Sequence, residues 1–314
     1  MRSRKAPNNA SRNAYISELS DTKGSMQQEI HFVTGKGGVG KSVVAAALAL
    51  KFSREGKKVL LVELGDQSFF QDFFELTEVK FQPQPMKPQL AVALWSGDTC
   101  LREYAHYLIK VESLSKLFFD NAVMRAFINV APALPELAIL GKITSGPRKH
   151  GPALPFDCIV VDAFSTGHFK ALLEAPKGLS QAVQFGPMGE QTRAIDRCIR
   201  DKNLCRYHIV TLPEDLPLKE ASELARDLKT EFDIDAQLIL NKILETSLNT
   251  SQIKEAAAAN NEGLRNFALY LQQHLDRQKK LSDQASKIEE DFKVVPLIFE
   301  TEPWRLIESI AEKL

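Results

Sequence analysis

Glu29-Ile30-His31-Phe32-Val33-Thr34 runs into Gly35-Lys36-Gly37-Gly38-Val39-Gly40-Lys41-Ser42, and Val43 to Arg54 (VVAAALALKFSR) comes next. The first segment is short, apolar and β-branched, the pattern of a buried strand. The last is Ala/Leu-rich and free of Gly and Pro, the pattern of a helix of about three turns. Between them lies G-x-x-x-x-G-K-S, with an extra lysine, Lys36, directly after the first glycine. The glycines let consecutive backbone N–H groups turn inward around a triphosphate. Lys41 would reach the β- and γ-phosphates, and the Ser42 hydroxyl would ligate Mg²⁺. The helix beginning there would aim its dipole and unpaired N–H groups, Val43 included, at the same anion. Gly56 then ends the helix, and Lys58-Val59-Leu60-Leu61-Val62-Glu63 reads as a second strand. A phosphate loop requires this β–loop–α–β setting. Lys36 has no evident task within its own chain.

The chain of 314 residues and 35.1 kDa is long enough for one large α/β domain. Apolar residues make up 44% and charged ones 25%, the balance of an ordinary globular protein. Lys+Arg and Asp+Glu both total 40, so no net charge points to nucleic acid or an anionic membrane. No apolar run approaches the roughly 18 residues that span a bilayer, which leaves at most peripheral membrane contact. Cys100, Cys158, Cys198 and Cys205 form no C-x-x-C pair and no zinc spacing. Cys158, inside an apolar strand, reads as a buried reduced thiol, and a cytoplasmic location fits best. The N-terminal residues are rich in Asn, Ser, Arg and Lys and lack an apolar h-region. Residues 1–27 therefore read as a disordered tail, or translation begins at Met26.

Strand-like runs recur at 29–34, 58–63, 90–94, 157–162, 207–212, 236–240 and 293–298, separated mostly by helical patterns. This alternation predicts an α/β fold, a doubly wound and mostly parallel sheet, with ligands at the carboxyl ends of the strands. Residues 98–145 read as helices without a strand, including Leu101–Ile109 and Ser113–Val130, and 178–203 continue helically after Pro176. Residues 262–290 read as a long amphipathic helix whose charges form a solvated face, with partner docking the alternative.

Phe156-Asp157-Cys158-Ile159-Val160-Val161-Asp162 is an apolar strand ending in a carboxylate, the Walker B arrangement. The residues beyond that strand carry a specific resemblance. The run D-A-F-S-T-G-H-x7-P, from Asp162 through Thr166, Gly167 and His168 to Pro176, resembles the D-T-A-P-T-G-H-x7-P switch II of the ArsA family. That family comprises arsenite-pump ATPases and the ATPases that guide tail-anchored membrane proteins. Ala131 to Ile143 (APALPELAILGKI) is similar to its A-P-G-x-x-E-L-x-x-x-G-K segment. Thr211-Leu212-Pro213-Glu214, with Leu218 and Glu220, resembles V-x-x-P-E-x-L-S-L-x-E. Ile239-Leu240-Asn241-Lys242 resembles a strand end whose Asn reads adenine.

The resemblance implies a P-loop NTPase of the SIMIBI class with a deviant Walker A loop, using ATP and Mg²⁺. It implies a homodimer, or a heterodimer with a paralogue, in which Lys36 reaches the facing subunit's nucleotide. Asp162 would hold Mg²⁺ through water, and Pro213, Glu214 and Asn241 would border the nucleotide. Residues 28–314 would form the ATPase domain. A helical subdomain from about 98–145 and 178–203 would be inserted on the strand C-terminal side and would bind an unknown protein client. Its apolar residues, Leu117 to Phe119, Met124, Phe127, Ile128, Leu134, Leu137, Ile139 and Leu140, either line a client groove or close the subdomain's own core.

The chain also departs from the family pattern. The eukaryotic targeting members and the arsenite pump open switch I with D-P-A-H, whose Asp orients the attacking water, whereas this chain has Glu63-Leu64-Gly65-Asp66-Gln67-Ser68. Asp66 is taken as that carboxylate, with Glu63 the alternative. The C-x-x-C clasp of the eukaryotic targeting members is absent, and the cysteines make no three-thiolate arsenite site. Other readings of the same loop are a positioning ATPase of the MinD/ParA kind, or an ATP-binding switch with little hydrolysis.

Overall fold

The structure is a computed structural model and describes residues 28–111, 133–152, 154–182 and 186–314. The expected tail at 1–27 and the helix expected over Ser113–Val130 lie outside the described residues. In chain order the elements begin with β1 (Glu29–Gly35), α1 (Lys41–Arg54), β2 (Val59–Leu64), α2 (Phe69–Phe73), β3 (Gln84–Lys87) and β4 (Leu90–Trp95). Then come α3 (Gly97–Val111), α4 (Leu134–Ile143), α5 (Ser145–Arg148), β5 (Cys158–Asp162), α6 (Thr166–Ala182) and α7 (Gly186–Arg200). The remainder is β6 (Cys205–Thr211), α8 (Asp215–Phe232), β7 (Ala236–Ile243), α9 (Thr250–Ala257), α10 (Glu262–Ile288), β8 (Lys293–Pro296) and α11 (Pro303–Ala311).

The strands form one 8-stranded sheet in the order β3-β4-β2-β5-β1-β6-β7-β8. All neighbours are parallel except β3, which pairs antiparallel with β4. Each expected run is a strand, with ends shifted by up to three residues. The addition is β3 (Gln84-Pro85-Met86-Lys87), half of it exposed. Proline is tolerated on an edge strand, where its missing N–H breaks no ladder, but it removes the sequence signal of a strand.

Helices cover both faces, as the period-2 alternation of the strands requires. Ile30, Phe32, Ile159, Val161 and Ile209 pack on one side against α4, α6 and α8 through Ile139, Leu140, Phe169, Leu172 and Leu228. Val33, Val160 and Val210 pack on the other against α1 and α11 through Val44, Ala47, Leu48, Ile307 and Ile310. Each such side chain contributes about 1.5–3 kcal/mol when fully removed from water. Of the apolar residues expected either to line a groove or to close a core, Leu134, Ile139 and Leu140 are buried and Leu137 packs against them. On α10, Ala268, Leu271, Leu281 and Ala285 face inward while the charges are solvated. No helix among the described residues is long and apolar enough to cross a membrane.

Candidate functional site at the carboxyl edge of the sheet

β1 lies centrally, between β5 and β6, so the loop after it opens at the middle of the sheet's carboxyl edge. Gly35 closes β1 against β6: a Cβ there would sit 2.1 Å from the Val210 carbonyl oxygen. Gly40 has φ 93° and caps α1 without any side-chain hydrogen bond, leaving the first-turn N–H groups free for an anion. A Cβ on Gly40 would approach the Asn241 Nδ2 to 2.6 Å. Asn241, buried at the end of β7, donates from Nδ2 to the Val39 carbonyl at 2.9 Å and accepts at Oδ1 from the Lys242 N–H at 2.9 Å. Its amide is therefore a brace for the glycine loop, a role that the resemblance to an adenine reader did not bring out.

Lys41 opens α1 with its Nζ 3.4 Å from the Lys36 carbonyl oxygen. Burial lowers its pKa, and the nearby Asp162 acts in the opposite sense. Asp162 ends β5 beside Glu63 of β2, its direct neighbour in register. Burial first, then the Glu63 charge, pushes the Asp162 carboxyl up to about 7, against a hydrogen bond from Ser42 and the pull of Lys41. One of its oxygens, Oδ1, is buried without a hydrogen-bond partner among the described residues. An orphaned carboxylate oxygen beside a hydroxyl offers oxygen donors of the kind a hard divalent cation takes. Ser42 and Asp162 thus fit Mg²⁺.

Glu63 is occupied structurally. Its carboxylate accepts from the Ser68 hydroxyl and the Phe69 N–H, each at 2.5 Å, and so anchors the start of α2. Burial raises its pKa despite these bonds. Asp66, three residues on, is exposed on the loop between β2 and α2. Pro213 is half-buried and Glu214 exposed where β6 leads into α8, on the same edge of the sheet.

The structure corrects the view that Lys36 is idle within its own chain. Its ammonium is ion-paired with Glu220 of α8. The other Glu220 oxygen is 3.5 Å from the Thr166 hydroxyl at the start of α6. Glu220 closes the segment after Pro213-Glu214, but a partnership across 184 positions leaves no local trace.

The segment after Asp162 is tied to both neighbours. The Thr34 hydroxyl donates to the Phe164 carbonyl at 2.8 Å. Phe164 stacks on His168 with ring centroids 3.8 Å apart. His168 Nε2 lies 3.5 Å from Glu136 Oε1 of α4. In turn α4 is joined to α3 by the Lys142–Glu103 ion pair.

A glycine loop between a central parallel strand and a helix, faced by a buried carboxylate on the adjacent strand, defines a P-loop nucleotide-binding protein. A sequence profile of the anion-transporting ATPase family, ArsA, matches residues 28–188. ATPase BagA of Mycobacterium tuberculosis (strain ATCC 25618 / H37Rv) is 31% identical over 240 residues, 73% of this chain and 69% of that protein. A putative arsenical pump-driving ATPase of Halobacterium salinarum is 26% identical over 232 residues, 68% of this chain and 35% of that protein. ATPase ASNA1 homolog 2 of Paramecium tetraurelia is 24% identical over 253 residues, 68% of this chain and 75% of that protein. The chain belongs to the ArsA family of ATPases.

Proposed function

We propose that the chain hydrolyses ATP with Mg²⁺ as a homodimer, or as a heterodimer with a paralogue, and that closure of the dimer moves the helices after β4 and β5. The observation that carries the reading is the buried Asp162, with its free oxygen, between Ser42 and Lys41 at the mouth of the glycine loop. Backbone N–H groups of Gly37 to Val43 bind the phosphates, and Lys41 adds charge to the β- and γ-positions. Ser42 and Asp162 would hold Mg²⁺, which would supply charge to neutralise the phosphates. Asp66 orients the attacking water. Glu63, committed to α2, positions the loop that carries Asp66.

Lys36 leaves Glu220 and stabilises charge on the partner subunit's nucleotide, as an arginine finger does in trans. Loss of that contact lets Glu220 and Thr166 relax together, shifting α6 at its start. The His168–Glu136 contact then passes the change to α4. An unidentified protein client binds the helices of about 98–145 and 178–203. Neither nucleic acid nor more than peripheral membrane contact enters this scheme, which runs in the cytoplasm. The test is phosphate release alongside nucleotide affinity. Lys36→Ala retains binding and loses turnover; undiminished turnover contradicts the scheme, and binding without turnover in the unaltered chain favours an ATP-sensing switch.

A further inference from the structure

At the opposite edge of the sheet, the strand N-termini bring three chemically distinct ligand groups together. Glu29 and Cys158 are register neighbours on β1 and β5, and His31 lies two residues along β1 on the same face. A carboxylate oxygen of Glu29, a ring nitrogen of His31 and the Cys158 sulfur all lie within 4.8 Å of one another. His31 Nε2 is 3.6 Å from Glu29 Oε2, close to the edge of a tetrahedron around a small cation. The His31 side chain is 9% exposed, and its Nε2 is buried without a hydrogen-bond partner among the described residues. Cys158 is fully buried.

The other ring nitrogen is already engaged. His31 Nδ1 lies 3.0 Å from His208 Nε2 of β6. With the proton on His31 Nδ1 and donated to His208, Nε2 presents a bare lone pair to the cluster. A metal-bound imidazole is characteristically oriented by this kind of outer hydrogen bond. Phe52 of α1 packs against the His31 ring, with centroids 4.5 Å apart.

We propose that Glu29, His31 and Cys158 form a zinc site, with His208 as the positioning residue and water in the fourth position. Mixed carboxylate, imidazole and thiol donors in tetrahedral reach suit Zn²⁺ rather than Mg²⁺ or Ca²⁺. On binding, the S–H proton of Cys158 leaves to solvent and a Zn–S bond takes its place. Zn²⁺, one thiolate and one carboxylate sum to zero charge, which suits the buried His31 and Cys158, while the partly exposed Glu29 opens the fourth position to water. Lys57, now 2.8 Å from Glu29 Oε2, moves aside as the carboxylate turns to the metal. The site ties β1 to β5 at the end of the sheet remote from the glycine loop and does not depend on the nucleotide chemistry.

The experiment uses the full chain, stripped with chelator and kept in excess Mg²⁺ to fill hard oxygen sites. Cobalt(II) is titrated in by absorption, and zinc by competition against it. One equivalent of cobalt with a sulfur-to-metal charge-transfer band supports the site, as does loss of that band in Cys158→Ser. Glu29 is partly exposed, so Glu29→Gln keeps the fold and binds zinc at least ~10-fold more weakly, while His208→Ala weakens it by ~10–100-fold. Saturation without the charge-transfer band, or zinc affinity unchanged in a folded Glu29→Gln, overturns the assignment.

Discussion

The Lys36 ammonium is clasped by the Glu220 carboxylate within one chain, and that carboxylate also faces the Thr166 hydroxyl at the start of α6. A residue proposed to act on a neighbouring subunit is therefore already engaged at home. Both side chains are about a third exposed, so the pair stabilises the chain by no more than ~1 kcal/mol. A contact of that size is weak enough for the proposed transfer of Lys36 to a triphosphate. Glu220→Gln removes the competing charge and is expected to strengthen ATP-dependent association up to ~5-fold, with little change in melting temperature. Analytical ultracentrifugation with ATP checks this; weaker association would mean that Glu220 positions Lys36 for the partner.

Asp162 makes stability depend on pH. Its carboxyl, ordinarily near 3.8, is pushed up to about 7 in the folded chain, chiefly by burial. Between about pH 4 and pH 7 the folded state therefore keeps a proton that the unfolded state gives up. Stability falls as pH rises through that window, by an amount on the order of a few kcal/mol, and the loss is complete above it. Thermal melts in chelator should decline toward neutral pH, by roughly 2–4 °C per kcal/mol. Asp162→Asn should flatten the decline, and Mg²⁺ with nucleotide should reverse it by stabilising the ionised form. A flat profile in the unaltered chain would contradict the burial argument.

Asn241 braces the glycine loop through the Val39 carbonyl. Asn241→Ala leaves that buried carbonyl without its donor, a loss of about 1–3 kcal/mol. Nucleotide affinity should drop by roughly 5–100-fold as the loop loosens. Gly40→Ala should be worse, because its Cβ meets Asn241 Nδ2 at 2.6 Å with φ at 93°. Fluorescent-nucleotide titration measures both; unaltered affinity in Asn241→Ala would remove the brace from the account.

The two carboxylates proposed for switch I should separate cleanly. Asp66→Asn, at an exposed position, should leave folding and ATP binding intact while slowing turnover by at least ~10²-fold. Glu63→Gln breaks the anchor at Ser68 and Phe69 and should lower the melting temperature as well. Turnover preserved in Asp66→Asn and lost in a folded Glu63→Gln would transfer the water-orienting role to Glu63.

Much of the fold was legible because its signals are local. Ile30, Phe32 and Val33, then six residues holding Gly35, Gly37, Gly38 and Gly40, then an alanine-rich run, specify strand, loop and helix within one short window. The strand that ends at Asp162 was readable for the same reason, as an uninterrupted apolar run. The strand β3 escaped because Pro85 masks a four-residue edge. Lys36 and Glu220 meet only because α8 returns alongside the loop after β6, a packing relation that no spacing encodes. The Glu29, His31, Cys158 and His208 cluster was hidden likewise, since its members come from three strands and no cysteine pair marks it.

Turnover in the scheme requires Lys36 to cross to a second subunit. Light scattering or small-angle X-ray scattering of the chain with Mg²⁺, ADP and aluminium fluoride tests it most directly. The account predicts a compact particle of twice the chain mass for the unaltered protein. For Lys36→Ala, it predicts the single-chain mass with nucleotide still bound. A Lys36→Ala protein that dimerises as tightly as the unaltered chain, or an unaltered chain that stays monomeric, would contradict it.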